Sequence, residues 1–571
     1  MADVLTAPAS GPKKGVWAEL RDNPFLLGLS MFASLGGFLF GYDQGVVSGV
    51  LTMESFAYRF PRIWDDSSFR GWFVSSLLLL AWFGSLINGP IADTLGRKGS
   101  MILAVVIFTI GSIFQTAAWN IASAFAGRAI AGLAVGMLTM IVPMYLSEVS
   151  MPAIRGTLVV LQQLSITLGI LISYWLEYGT QYIGGSHRCA PGTPYTGGTA
   201  SEPRFDPYED VPAGGCTGQS DAAWRIPLGI QIVPALILGI GMIFFPESPR
   251  FYLMRHQEDK ALRSLAKIRR VHPDTISLRE EYLAIKAEVL FDQSISRDKF
   301  PGKSGVSLFF AEYYSLLTSW PSFKRVFLGC AIMFFQQFLG CNAIIYYAPT
   351  LFRQLGLTGG TAGLLATGVY GIVNTLSTLP ALFLIDRVGR RPLLLCGATG
   401  CAICLLIVGG IVGAFAGKMD SNKAAGYAGM VFIYIYDINF SYSWAPIGWV
   451  YPSEIFNVGI RSKAMALTTS STWFCNFIIG LVTPDMIEVL GFGTYIFFGG
   501  WAVVAIVFTY FLIPETKGKS LEDMDQVFGD TAAYEEKTRL AEIAASMGLT
   551  EALPSEKVDH ARAAEQVEQR A

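Results

Sequence analysis

Twelve apolar runs, each long enough to cross a bilayer as an α-helix, constrain this chain more than any other feature. The first six lie near 25–51, 70–92, 99–118, 122–145, 157–178 and 224–245. The second six lie near 325–351, 362–385, 392–416, 426–451, 464–484 and 493–513. Hydrocarbon offers no partner for a backbone N–H or C=O, so runs of this length must bond internally as helices. The expected fold is an all-α membrane protein of twelve transmembrane helices. Composition agrees: 15% of the 571 residues are charged, against about 25% in soluble domains.

The loops give an orientation. Residues 179–223 are rich in Gly, Pro and Asp, with Arg188 and Arg204 the only basic residues. Residues 247–324 carry Arg250, Arg255, Lys260, Arg263, Lys267, Arg269 and Arg270, and the short loops at Arg97-Lys98 and Arg390-Arg391 are basic too. Positive charge collects on the cytosolic side, which places those loops there together. Both termini then face the cytosol, since Met1 to Asn23 is polar and the first run is too long for a cleaved signal. The expected divisions are a cytosolic segment 1–24 and a six-helix bundle 25–246 with outer loop 179–223. A cytosolic helical loop 247–324, a second bundle 325–513 and a cytosolic tail 514–571 follow. Helices are expected at 258–270 and 278–291 in the loop, and at 534–547 in the tail. Cys189 and Cys216 are the only cysteines on the oxidising face and are candidates for a disulfide. The four histidines fall outside the spans, which excludes histidine relays, and the Cys401–Cys404 CxxC lies within an apolar run, where core packing is the reading rather than metal or redox chemistry. A net charge of −2 gives no case for a nucleic-acid partner.

The two halves resemble each other. Asp93-Thr94-Leu95-Gly96-Arg97-Lys98 follows the second run, and Asp386-Arg387-Val388-Gly389-Arg390-Arg391 follows the eighth. Glu148 precedes Arg155 after the fourth, as Glu454 precedes Arg461 after the tenth. A six-plus-six repeat implies two bundles around a midplane site. Carboxylates and guanidiniums at neighbouring helix ends form bidentate pairs, and pairs that persist in one state bias the halves toward it. Asp93, Arg97, Glu148, Arg155, Glu247, Arg250, Asp386, Arg390, Glu454 and Arg461 are the expected cytosolic gate. Setting topology by charge alone is the simpler alternative.

Within the seventh run, Gln336, Gln337, Asn342, Tyr346 and Tyr347 stand where lipid-facing residues would be aliphatic. Buried amides without partners cost several kcal/mol each. On an ideal helix Gln337 and Asn342 point roughly 140° apart; a break near Gly340 turns both toward one cavity. Neutral amides and rings suit a polyhydroxylated ligand, whereas a polar helix-packing seam is the alternative.

These stretches resemble the sugar porters of the major facilitator superfamily. The matches are Gly41-Tyr42-Asp43, the two basic-loop motifs, 143–156, 246–250, 336–347, 444–454 and 514–518. The resemblance implies two six-helix bundles, alternating access, and no enzymatic activity or cofactor beyond a coupling proton. It implies ligand contacts at Gln163, Gln336, Gln337, Asn342, Asn374 and Trp449, and an outer gate at Tyr346 and Tyr347. Thr472 departs from the Asn of some glucose carriers, with Asn476 one turn on.

Asp43 in the first run is a costly intramembrane acid and therefore a functional candidate; Arg128 in the fourth is its natural partner. If the pair separates during transport, Asp43 takes up and releases a proton; a permanent brace is the alternative. Asp437 is a second such acid, a cavity-rim or structural residue. Beyond Arg128 the interiors of the fifth, seventh, eighth, tenth and eleventh runs hold no Lys or Arg, which disfavours an anionic ligand. The expected function is import of a neutral hexose or pentose by a plasma-membrane monomer, as proton symport. Passive facilitation, polyol or quinate-like acid transport, and sugar sensing without transport are the alternatives.

Overall fold

A computed structural model describes residues 23–150, 155–198, 203–303, 305–357, 360–419, 421–456, 461–517, 524, 527–528 and 532–547. Among them, eight helices are long and apolar enough to cross a membrane. One of these, Ser67–Thr116, holds two spans, because Gly96 at φ +85° turns the chain within it. Three further helical stretches complete twelve spans in two sets of six, the major facilitator fold. The first set is Pro24–Val50, the two limbs of Ser67–Thr116, Ile121–Val149, Arg155–Thr180 and Ala222–Phe244. The second set begins with a broken seventh span, Trp320–Phe338 and Cys341–Gln354, and an eighth, Gly360–Thr378 and Ala381–Val388. The ninth is Arg390–Ala414, and the tenth is broken into Lys423–Ser441 and Trp444–Ile455. Arg461–Leu490 and Gly493–Leu512 are the last two.

Local chemistry starts several of these helices. Asn23 accepts from the Leu26 N–H at 3.1 Å with Pro24 behind it, and Asp66 accepts from Phe69 N at 3.0 Å. Asn120 and Ser123 form a reciprocal capping box at the fourth span, satisfying N–H groups that a helix start leaves orphaned. Packing inverts the soluble pattern. Ile237, Ile240, Ile243, Val503, Val507 and Phe511 are exposed, as lipid-facing residues are, while small residues fill the seams. A Cβ on Gly136 would lie 2.0 Å from the Ala81 carbonyl oxygen, so the second and fourth spans touch backbone to backbone.

On the face bearing Arg97 and Arg390, here the basic face, lie helices Pro249–Met254, Glu258–Arg269, Ile276–Lys299 and Gly305–Thr318. Two of them correspond to the expected 258–270 and 278–291, the second running further at both ends because Thr275 and Phe300 bound it. Helix Ala532–Ser546 in the tail packs on Ile276–Lys299 through an Arg539–Asp298 pair at 2.6 Å.

The opposite face carries the Cys189–Cys216 disulfide. Glu54 anchors this cap: its carboxylate accepts from Cys189 N at 2.7 Å and the Tyr195 hydroxyl at 2.5 Å. Burial pushes the Glu54 carboxyl up, against the opposing effect of those two hydrogen bonds.

Candidate functional site

The seventh span breaks where the sequence permits it. Gly340 sits at φ +92°, a left-handed conformation that a Cβ penalises, and a Cβ there would also meet Phe498 Cγ at 2.8 Å. The break brings a row of amides together at midplane. Gln336 Nε2 donates to the Trp444 and Ala445 carbonyl oxygens, each at 3.0 Å, where the tenth span is itself broken. Gln337 Nε2 donates to Gln336 Oε1 at 3.4 Å, and Asn342 Nδ2 donates to Gln337 Oε1 at 2.5 Å. Gln44 of the first span then bridges the halves. Its Nε2 donates to Asn342 Oδ1 at 3.4 Å and to the Tyr346 hydroxyl at 2.8 Å, and Tyr346 donates to Asn476 Oδ1 at 3.2 Å. The row is uncharged, and amides and a phenol can each both donate and accept, as a ring of hydroxyls requires of its partner.

Of the other expected contacts, Gln163 and Trp449 are half-buried on the fifth and tenth spans. Asn374 is buried and bonds Asp437 Oδ1 at 2.9 Å and Ser441 Oγ at 3.2 Å. Tyr347 donates to the Gly480 carbonyl at 2.8 Å, within its own half. Gln44 is the member that sequence reading missed; its signal was a third consecutive polar residue after Tyr42 and Asp43. Thr472 turns back on Thr468 O at 3.4 Å, and it is Asn476 that enters the row.

Asp43, next to Gln44, meets Arg128 through one contact, Nη1 to Oδ1 at 3.3 Å, with both residues buried. Arg128 Nη2 also donates to Val74 O at 3.3 Å, while Asp43 Oδ2 and Arg128 Nε have no hydrogen-bond partner among the described residues. The pair is single-pointed rather than a bidentate clamp, a geometry that leaves room to separate.

The basic-face clusters repeat almost atom for atom. Arg97 bonds Glu148 through Nε and Nη2 at 3.0 and 2.9 Å and donates Nη1 to Ala92 O at 3.1 Å. Arg390 bonds Glu454 through Nε and Nη2 at 3.1 and 2.6 Å and donates Nη1 to Ile385 O at 3.0 Å. Glu247 accepts from Arg97 N at 3.1 Å and Lys98 N at 3.0 Å; Glu515 accepts from Arg390 N and Arg391 N, each at 3.0 Å. Each carboxylate thus caps the helix that begins after a left-handed glycine, Gly96 or Gly389. Burial raises the Glu247 carboxyl above its ordinary range; at Glu515 burial acts the same way, but four backbone N–H donors outweigh it and lower the group. Glu515 was not singled out from sequence, although Pro514-Glu515-Thr516 echoes Pro246-Glu247-Ser248.

Asp93 also reaches Arg97, at 3.3 Å, and Arg250 pairs with Glu288 at 3.1 Å and with Asp292. The side chains of Arg155, Asp386 and Arg461 lie outside the described residues. These Arg–Glu pairs run within one half. Among the described residues, hydrogen bonds between the halves lie at mid-depth, as from Trp473 Nε1 to Thr139 Oγ1 at 3.2 Å, or toward the disulfide face. There Tyr174 donates to Ile345 O at 2.8 Å and Ser68 donates to Asp485 at 2.7 Å. Among the described residues, side chains thus tie the halves at mid-depth and toward the disulfide face, while the Arg97–Glu148 and Arg390–Glu454 pairs each brace their own bundle.

A twelve-span fold in two related halves around a polar midplane defines a membrane carrier. The chain belongs to the sugar (and other) transporter family, whose model matches residues 29–528. Relatives include proteins of Aspergillus flavus and Aspergillus oryzae described as "Probable quinate permease". Each is 34% identical over 513 residues, covering 88% of this chain and 87% of the relative. Among solved structures, the xylose transporter XylE from E. coli in a partially occluded inward open conformation is similar. It has a TM-score of 0.66 and 26% identity, covering 87% of this chain and 100% of that one. The proton:xylose symporter XylE bound to 6-bromo-6-deoxy-D-glucose matches with a TM-score of 0.66 and 27% identity, over 89% of this chain and 100% of that one. The family is one of transporters rather than enzymes.

Proposed function

We propose that this carrier imports a neutral monosaccharide, a hexose or pentose, across the plasma membrane in symport with a proton. Both termini face the cytosol, and the carrier works as a monomer. The observation that carries the reading is the uncharged row Gln336–Gln337–Asn342–Gln44, whose amides match hydroxyls and offer an anion no cation. Gln163 and Trp449 complete the site, Trp449 with a flat apolar face for ring C–H groups.

Asp43 is the proton carrier. A proton on Oδ2 neutralises the acid and loosens its single contact with Arg128; its release restores the pair. Gln44 is the next residue on the same helix, so a shift at Asp43 moves a group that bonds Asn342 and Tyr346. Tyr346 and Tyr347 close the outer side, and the two charge clusters keep each bundle rigid as they rock.

A second reading has its own support: the curated relatives above carry the name quinate permease, which makes a cyclic polyhydroxy acid the competing ligand. Uptake of labelled D-glucose, D-xylose and quinate into cells lacking hexose uptake, with and without a protonophore, separates the two. Sugar uptake abolished by the protonophore is the expected result. Quinate uptake alone overturns the ligand class, and sugar uptake indifferent to the protonophore overturns symport.

A further inference from the structure

Asp437 lies at membrane depth like Asp43, but no guanidinium faces it. Tyr370, Tyr436, Cys341, Cys401 and Tyr174, from the eighth, tenth, seventh, ninth and fifth spans, are titratable groups around it, and none carries positive charge. Its polar contacts are the Asn374 amide, at 2.9 Å, and the hydroxyl of Tyr370. Both amide protons of Asn374 are used on the tenth span, at Asp437 Oδ1 and, one turn on, at Ser441 Oγ. The remaining end of that amide, Oδ1, is buried and has no hydrogen-bond partner among the described residues; the same holds for Asp437 Oδ2.

An amide presents a donor at one end and an acceptor at the other, and its neighbours decide which end points where. The Asp437 oxygen facing Asn374 accepts, whether or not a proton sits on Oδ2. Turning the amide over would set its carbonyl oxygen against that acceptor. The adjoining Thr375 donates to Thr167 O of the fifth span at 3.2 Å, one helical turn beyond Gln163. The eighth span thus meets the fifth span of the N-terminal half beside Asn374.

We propose that Asp437 is a positioning residue that fixes Asn374 as an acceptor-only group, so that the carrier selects ligands with a hydroxyl that donates at that point. The inference rests on the proposed sugar site. It gives an otherwise unexplained acid a task distinct from that of Asp43: choosing the polarity of one hydrogen bond rather than carrying the coupling proton.

Competition against labelled D-glucose uptake by the monodeoxy and monofluoro D-glucose series tests this, since C–F accepts but cannot donate. In the wild type, the deoxy and fluoro derivatives at one ring position should both compete about tenfold more weakly than D-glucose. In Asp437→Asn, whose own amide can present either end, the fluoro derivative at that position should recover to within about threefold, and the deoxy derivative should not. In Asn374→Ala, both should compete as D-glucose does in that variant, giving an arm independent of Asp437. A wild type in which every fluoro derivative competes like D-glucose overturns the proposal. So does an Asp437→Asn profile identical to wild type, or a position-specific loss that survives Asn374→Ala. D-glucose itself failing to compete in the wild type would instead strike the proposed ligand class, and this inference with it.

Discussion

The two halves agree where they meet the basic face and disagree at midplane. Arg97 with Glu148 and Arg390 with Glu454 repeat in bond pattern, as do the caps Glu247 and Glu515 and the glycine turns before them. At mid-depth the N-terminal half holds a buried ion pair, Asp43–Arg128, whereas the C-terminal half holds neutral amides and an acid with no cation. Where both bundles need the same stiffness, the repeat is kept. Where one supplies a coupling charge and the other a ligand surface, it has diverged. Symmetry here marks the frame, and asymmetry marks the chemistry.

Breaking the asymmetric part should have the larger effect. Asp43→Asn should abolish accumulation of sugar against a gradient while exchange between preloaded and external pools persists. Wild-type accumulation ratios in that variant would remove the N-terminal ion pair from energy coupling and empty the comparison of meaning. The symmetric part predicts a smaller and graded effect. Arg97→Ala leaves Glu148, 7% exposed, without its cation and should cost about 3 kcal/mol of stability. Arg390→Ala leaves Glu454, 25% exposed and better hydrated, and should cost about half as much. Thermal unfolding of the purified variants in detergent reads the difference. A larger loss for Arg390→Ala would show that the clusters differ in load despite their shared geometry.

Much of this frame was legible in the sequence, because lipid allows a 20-residue apolar run only one backbone solution. The twelve spans, the break at Gly340 and the pairing of repeated motifs follow from local rules of that kind. Connections across the bundles were harder to read. Gln44 and Asn476 are single polar residues on different helices, and only packing brings them to Tyr346. Asn374 shows the same limit from the other side. The sequence marked it as a ligand contact, but its orientation depends on Asp437, which lies 63 positions away. The charged motifs were expected to form a cytosolic gate from ion pairs at neighbouring helix ends; the Arg97–Glu148 and Arg390–Glu454 pairs each join spans of one bundle, and the side chains of Arg155, Asp386 and Arg461 lie outside the described residues.

The central claim is that the amide row binds the ligand, and Gln337 is its middle member. The direct measurement is the apparent KM for labelled sugar uptake by Gln337→Ala beside the wild type, at matched surface expression. A rise of about tenfold is the expected result, since a polar contact to an uncharged ligand contributes on this order. An unchanged KM would contradict the account and return the row to a packing seam between helices.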